Sequence, residues 1–456
     1  MPTPTPGATP APSPALASVS GPSPGPALAS ASGPARNSPA PKPDVIVLGA
    51  GITGVAAAEH LRRMGRAVLL IDRVDPGHPD QTSYGNAGLL ARCAAPPVSY
   101  PGLWRDAPRM LFDRDEALFL RWRHLPKLIP WLTRFLRNCT PERTEALAAA
   151  IARLTTGSID EHLALATGTA AERFIRLGDY SFLYPSRAAF EADRATHELR
   201  RRNGFEWREV EAEELHARDP ALSRDYGFAI TFDEHGWLTS PGKYVAALAA
   251  HFRAAGGAIL KAEAADLTPT ETGAAITLTT GERLEAPHVI VATGAWSGRF
   301  AKSAGHRALV EGERGYHLML HGASALPPHP AMVADAHFVI TPMEDGLRCA
   351  GISELGALDA PPSAAPLDLL RRRIRKVYPG LTWEREEVWM GRRPSTPDSL
   401  PLLGAAPKAP GVIFAFGGQH VGLTIGPELG RVAAQIAAGV RVNADLSALR
   451  PDRFDR

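Results

Sequence analysis

Asp44-Val45-Ile46-Val47-Leu48-Gly49-Ala50-Gly51-Ile52-Thr53-Gly54 decides the fold. Residues 44–48 read as a buried parallel strand. The Gly-x-Gly-x-x-Gly run follows at once. An Ala-rich helix over 55–64 ends at Gly65, and a second strand over 67–71 ends in Asp72. Strand, glycine turn, helix, strand and terminal acid at this spacing form a dinucleotide-binding βαβ unit; outside that setting the glycines would mean only a tight turn. Gly49 permits the turn. Gly51 admits a pyrophosphate to the backbone N–H groups at the positive end of the helix. Gly54 lets helix and strand close together. Asp72 can take a ribose hydroxyl.

Composition is that of an ordinary globular chain, with 45% apolar and 21% charged residues. A net charge of +2, with Lys and Arg dispersed, gives no phosphate-tracking patch and no reason to expect a nucleic-acid partner. Cys93, Cys139 and Cys349 are few and far apart. They form no CxxC metal or redox motif and fit a reducing compartment, so a cytoplasmic location and no metal are expected. No apolar run reaches the ~18 residues of a membrane span. Residues 1–43 hold 13 of the 42 prolines among Ala, Ser, Gly and Thr, and read as a disordered tail that is neither signal nor transit peptide.

Further along, Ser240-Pro241 starts a helix with Tyr244, Leu248 and Phe252 at helical spacing, closed by Gly256-Gly257. Strands over 258–262 and 288–292 follow, the second leading into Thr293-Gly294-Ala295-Trp296. Residues 412–416 form another strand, then Gly417-Gly418-Gln419-His420-Val421-Gly422 turns into a helix over 423–438. Strand–turn–helix units thus stand near both ends and in the middle. The fold class expected is α/β: a Rossmann-like domain assembled from 44–100, 231–306 and 391–445, with an inserted α+β substrate domain of 101–230 and 307–390 carrying a mixed or antiparallel sheet. Residues 446–456 are left as a C-terminal tail.

These blocks resemble the D-amino-acid oxidase superfamily of FAD enzymes, of the GR2 flavoprotein type, with bacterial D-amino-acid and D-hydroxyproline dehydrogenases as the nearest likeness and glycine and sarcosine oxidases as relatives. The resemblance runs from Asp44 to about Val440. Besides the Gly49–Gly54 fingerprint it is carried by Thr82-Ser83-Tyr84-Gly85-Asn86-Ala87-Gly88, by Ala292-Thr293-Gly294-Ala295-Trp296, by Gly391-Arg392-Arg393-Pro394-Ser395-Thr396-Pro397-Asp398 with Pro401-Leu402-Leu403-Gly404, and by Phe414–Thr424. Two positions depart from the family pattern. The closing loop reads Gly418-Gln419-His420 where Gly-His-Gly-His is usual, and the strand before Pro342 has no tyrosine.

The resemblance implies non-covalent FAD, contacted by Gly49, Gly51, Ile52, Thr53, Gly54, Asp72, Arg73, Ser83, Asn86, Ala87, Gly88, Thr293, Gly294, Trp296, His420, Gly422, Leu423 and Thr424. The N–H groups of Gly422, Leu423 and Thr424 open a helix and can face negative charge that develops on the reduced ring. The activity implied is oxidative deamination of a D-amino acid: hydride passes from the α-carbon to flavin N5, and the imino acid hydrolyses to a 2-oxo acid. A cyclic imino acid such as D-hydroxyproline is one candidate substrate. Arg393, just before Pro394, matches the family's carboxylate-binding arginine; its planar guanidinium can make paired bonds that Lys cannot. On spacing alone it could equally sit in a structural ion pair. Tyr316 is read as donor or cover to the substrate, or as a half-buried sheet tyrosine. His337 is read as pocket lining, or as an ordinary satisfied or exposed histidine. Glu354 is a weaker candidate for meeting the amine.

Residues 118–137, rich in Leu, Trp and Arg, read as helices packed in the inserted domain, with Pro126 and Pro130 interrupting any long amphipathic helix. The alternative is a peripheral contact with the inner face of the cytoplasmic membrane, delivering electrons to quinone. The acceptor stays open between quinone, another carrier and oxygen, and the oligomeric state stays open too. Two other functions compete: an oxidase of glycine, sarcosine or another secondary amine, and a non-catalytic flavin-binding subunit of a larger complex.

Overall fold

Val45–Leu48 lies inside a six-stranded sheet ordered Leu402–Ala406, Ala409–Phe416, His288–Val291, Val45–Leu48, Val68–Asp72, Ala258–Lys261. All neighbours are parallel except the edge pair Leu402–Ala406 and Ala409–Phe416. This is a computed structural model that describes residues 42–112 and 118–455. The expected disordered segment, as far as residue 41, lies outside the described residues.

Alternation along Val45–Leu48 explains the layers. Val45 and Val47 pack with the helices Ile52–Arg63, Pro241–Ala254 and Gly422–Ala437, while Ile46 and Leu48 pack toward a three-stranded antiparallel sheet of Ala264–Thr270, Gly273–Leu278 and Arg283–Ala286. A strand buried on both faces has to be apolar throughout. Each such side chain contributes roughly 1.5–3 kcal/mol on burial. The first helix begins at Ile52, earlier than the apolar spacing suggests, because the Ser83 hydroxyl accepts the Ile52 N–H at 3.1 Å and satisfies its open end.

The larger sheet has ten strands. Its main path runs Arg385–Ser395, Glu311–His321, Gly346–Leu355, Phe338–Met343, Ala331–Val333, Ile175–Tyr184, Phe228–Leu238, Leu89–Leu90. Helix Ala364–Val377 covers one face through Leu367, Leu370 and Ile374, which meet Leu318, Leu320 and Ile352. The sheet is mixed: Ala331–Val333 runs parallel to Ile175–Tyr184, and most other pairs are antiparallel.

Two segments differ from their sequence reading. Leu125–Arg137 is one continuous helix. Pro126 sits in its first turn, where a missing N–H costs nothing, and the buried stripe Leu128, Trp131, Phe135 offsets the bond lost at Pro130. Residues 446–455 are no loose tail. Leu449 and Phe454 are buried, Arg453 pairs with Asp398, and Asp455 meets His306 and Lys408. Among the described residues no helix is long and apolar enough to cross a membrane.

Candidate active site

A cleft opens at the C-terminal ends of the parallel strands, where such sheets bind nucleotides. Gly49, Gly51, Ile52, Thr53, Asp72, Arg73, Ser83, Asn86, Thr293, Gly294, Trp296, Gly422 and Leu423 line it, together with Gln81, Thr82 and Gln419. Gly49 has φ +98°, and a Cβ there would fall 2.4 Å from the Ala292 carbonyl oxygen. Gly54 does not face the cleft. Its task is packing: a Cβ would lie 1.7 Å from the Gly49 oxygen, so only glycine lets this helix approach its strand. The Asp72 carboxylate accepts the N–H groups of Ala50 and Val74 and the Gln81 amide, which fixes the glycine turn beside it. Trp296 lies under the guanidinium of Arg73 at 4.4 Å, with that of Arg392 at 5.5 Å.

The loop 82–88 is braced from the large sheet. Arg348 Nη1 donates to the carbonyls of Tyr84 and Asn86 at 3.2 and 2.7 Å. Burial lowers that guanidinium to about 10, still charged at neutral pH. His317, stacked on Trp389, donates through Nδ1 to the Gly85 carbonyl, and burial holds its pKa far below the ordinary value. The Thr82 hydroxyl donates to the Arg392 carbonyl.

A second cavity, about 370 Å³, adjoins the first; Thr82, Asn86 and Gln419 line both. Arg393, Tyr316, His337, Ala87, His420 and Thr424 line this second space, while Gly88 lines neither. Gln419 donates to the Thr396 carbonyl at 2.6 Å, but its Oε1 is buried between the cavities with no partner among the described residues. An orphaned acceptor at the junction, a cleft of backbone N–H groups and a helix start at Gly422 fit a flavin dinucleotide in donor chemistry.

Arg393 stands opposite Glu313 in strand register. Its Nη1 donates to Glu313 Oε1 at 2.8 Å and to Ser353 Oγ at 2.7 Å. Nε and Nη2, on the opposite edge, form no hydrogen bond among the described residues and are open to the cavity. The guanidinium rests on Gly315, where a Cβ would come within 2.7 Å of Nε. Burial works against ionisation of Glu313, but Arg393 and the hydroxyls of Ser353 and Ser395 outweigh it and hold the carboxyl below the usual glutamate range.

The other sequence candidates divide. Tyr316 reaches the cavity, but its hydroxyl donates to Glu354 at 2.6 Å and accepts the Ser363 N–H. Glu354 also pairs with fully buried Arg314 at 2.7 Å and with Arg121, so its charge is already met away from the cavity. His337 is exposed into the cavity with φ +52°. Glu313, Gly315, Ser353, Arg200 and Gln419 were not singled out as site residues by the sequence. Only Gln419 carried a signal, as a departure from the usual closing loop; Glu313 meets Arg393 through strand register alone.

The FAD dependent oxidoreductase family (DAO) matches residues 44–436. A D-amino-acid oxidase of Bradyrhizobium diazoefficiens is 34% identical over 415 residues, covering 90% of this chain and 98% of the relative. A D-amino acid dehydrogenase of Rhizobium johnstonii is 29% identical, covering 90% and 99%. Glycine oxidase from Geobacillus kaustophilus superposes with a TM-score of 0.68 at 20% identity, over 91% of this chain and 99% of that one, a likeness of fold. With the nucleotide cleft, the orphaned acceptor and the family match in agreement, the chain belongs to the DAO family of FAD-dependent oxidoreductases.

Proposed function

We propose that the protein oxidatively deaminates a D-amino acid, with the second cavity as substrate site. The observation that carries this is Arg393: one side of its guanidinium is pinned by Glu313 and Ser353, and the Nε–Nη2 edge faces the cavity unbonded. Such an edge matches the two oxygens of a carboxylate. Relatives named for D-amino acids support the substrate class.

Bound FAD supplies the two-electron oxidation of the substrate's C–N unit. The chain's own residues bind and orient. Arg393 holds the carboxylate, which fixes the substrate's α-carbon relative to the cleft. Thr82, Asn86 and Gln419, shared by both cavities, hold the boundary between cofactor and substrate. Leu89, Tyr180, Phe182 and Val339 give the cavity apolar walls that exclude water. Water then hydrolyses the released imino acid to a 2-oxo acid. His337 and Tyr316 act as walls of this space, and Tyr316 keeps its hydroxyl bond to Glu354.

The test is anaerobic mixing of the purified holoenzyme with D- and L-amino acids. Bleaching of the flavin by D-enantiomers and not by their L-forms supports the reading. Bleaching only by glycine or sarcosine favours the secondary-amine oxidase, and a flavin inert to all amino acids contradicts it.

A further inference from the structure

We propose that Arg200 receives an anionic group at the end of the substrate's side chain, so that the preferred substrate is an acidic amino acid; this rests on the second cavity being the substrate site. Arg200 lies in the last turn of helix Arg187–Arg202 and lines the cavity with Cys93, Tyr180 and Phe182. Arg393, by contrast, comes from strand Arg385–Ser395, five strands away from Ile175–Tyr184 along the sheet order. The two cations thus enter one space from different elements.

Their neighbours differ. Arg393 has Glu313 beside it. Arg200 pairs with no carboxylate among the described residues. Its Nε donates to the Cys93 carbonyl at 3.2 Å and its Nη1 to His197 Nδ1 at 3.1 Å, and the guanidinium lies 4.8 Å over the Phe182 ring. None of these partners carries negative charge. The neighbouring Cys93 thiol is pushed by burial up to about 12 and stays protonated. His197, lowered by burial to about 4, is neutral at pH 7, as its role as acceptor requires. Nη2 has no oxygen or nitrogen partner among the described residues, and the sulfur that adjoins the guanidinium, Cys93 Sγ, is a weak, uncharged acceptor.

The contrast with its neighbours is direct. Arg201 pairs with Glu198 and Glu206, and Arg202 with Glu145. Only Arg200 turns inward, and there no carboxylate touches it; Asp193 stands one residue removed, paired with the far ring nitrogen of His197. A cation held against apolar walls without a counter-charge is costly, and a ligand that brings the charge removes that cost. Around it the walls are apolar: Leu89, Ala91, Met332 and Val339. An apolar side chain would fill that end and leave Nη2 unpaired, and a carboxamide would pair it without a counter-charge. A carboxylate would satisfy it with a charge-assisted bond.

Two measurements on the holoenzyme test this. First, flavin reduction is compared for D-glutamate against D-glutamine and for D-2-aminoadipate against D-norleucine, in wild type and Arg200→Gln. The expected result is a preference of about tenfold or more in kcat/KM for at least one acidic member, erased in Arg200→Gln while the neutral substrates change less than about threefold. A wild-type preference for the neutral members, or parallel loss of both classes in the variant, overturns the proposal, since parallel loss is what a merely structural arginine would give. Second, glutarate and adipate are titrated against pentanoate and hexanoate, read by flavin absorbance and by thermal midpoint. Dicarboxylates should bind more tightly in wild type, and equal binding overturns the proposal. If no amino acid reduces the flavin, the substrate-site reading fails on the first measurement, and the second still decides the role of Arg200.

Discussion

Glu313 and Arg393 face each other across two antiparallel strands, with Oε1 and Nη1 2.8 Å apart. The pair does more than cancel charge. It commits one corner of the guanidinium to the protein and leaves the opposite edge for a ligand. A long, flexible arginine left alone would lose rotamer freedom on binding, and an anchored one has already lost it.

Glu313→Ala should therefore cost substrate binding and leave FAD in place. Removing the anchor frees the guanidinium and exposes Ser353 and Ser395 to an unfilled gap, so kcat/KM should fall by about tenfold or more. Glu313→Gln keeps an oxygen for Nη1 and should be milder. Because the Glu313 carboxyl is held below the ordinary glutamate value, the anchor is complete above that value and is lost only as pH falls through the lowered folded pKa. A kcat/KM profile for wild type should show no acid limb from this residue near neutrality, and steady-state rates against pH check it.

Gly315→Ala tests the seat of the guanidinium without removing any polar atom. The added Cβ would meet Arg393 Nε at 2.7 Å and must push it aside. KM should rise by about tenfold with flavin content unchanged. Unaltered kinetics would mean that this position of Arg393 is not used in binding.

Heat should release FAD, not FMN, from the purified protein, and acid-precipitated protein should carry no flavin. Asp72→Asn should weaken FAD binding by roughly tenfold, because the carboxylate orders the glycine turn through Ala50 and Val74 as well as facing the cleft. Fluorescence titration of the stripped protein measures it.

Glu428 offers a stability test away from the chemistry. Burial, then the Glu161 carboxylate, push its pKa up to about 7. A folded pKa raised above the unfolded one means that the native state holds a proton the unfolded chain has lost, so stability falls as pH rises from the ordinary glutamate value toward 7. Glu428→Gln should raise the thermal midpoint at pH 8, by on the order of 1–3 kcal/mol of stability, and change little at pH 4. Thermal melts at both values decide it.

The parts of this fold that were legible in sequence were those set by local rules. Gly49, Gly51 and Gly54 between two apolar strands leave few alternatives, and Ile425, Leu429, Val432 and Ile436 mark a helix face directly. Pro130 misled because propensity was overridden by burial of Trp131 and Phe135 on the same helix. The site was legible only by resemblance. Arg393 could be named, but not its anchor, since Glu313 is 80 residues away in sequence and only the strand register brings the two together. Arg200 was invisible within Arg200-Arg201-Arg202, which reads as a solvated helix end; only the positions of Glu145, Glu198 and Glu206 show which arginine is left without an acid.

Substrate binding depends on the free edge of Arg393, and one measurement tests this: flavin reduction by a D-amino acid under anaerobic conditions in wild type, Arg393→Lys and Arg392→Lys. Lys keeps the charge and loses the paired planar donors. Arg392 donates to the Leu358 carbonyl, lies against Trp296 and lines neither cavity. Arg393→Lys should retain FAD and lose kcat/KM by roughly 30- to 1,000-fold, about 2–4 kcal/mol, while Arg392→Lys stays much closer to wild type. Equal effects of the two substitutions, or a greater effect at Arg392, would contradict it.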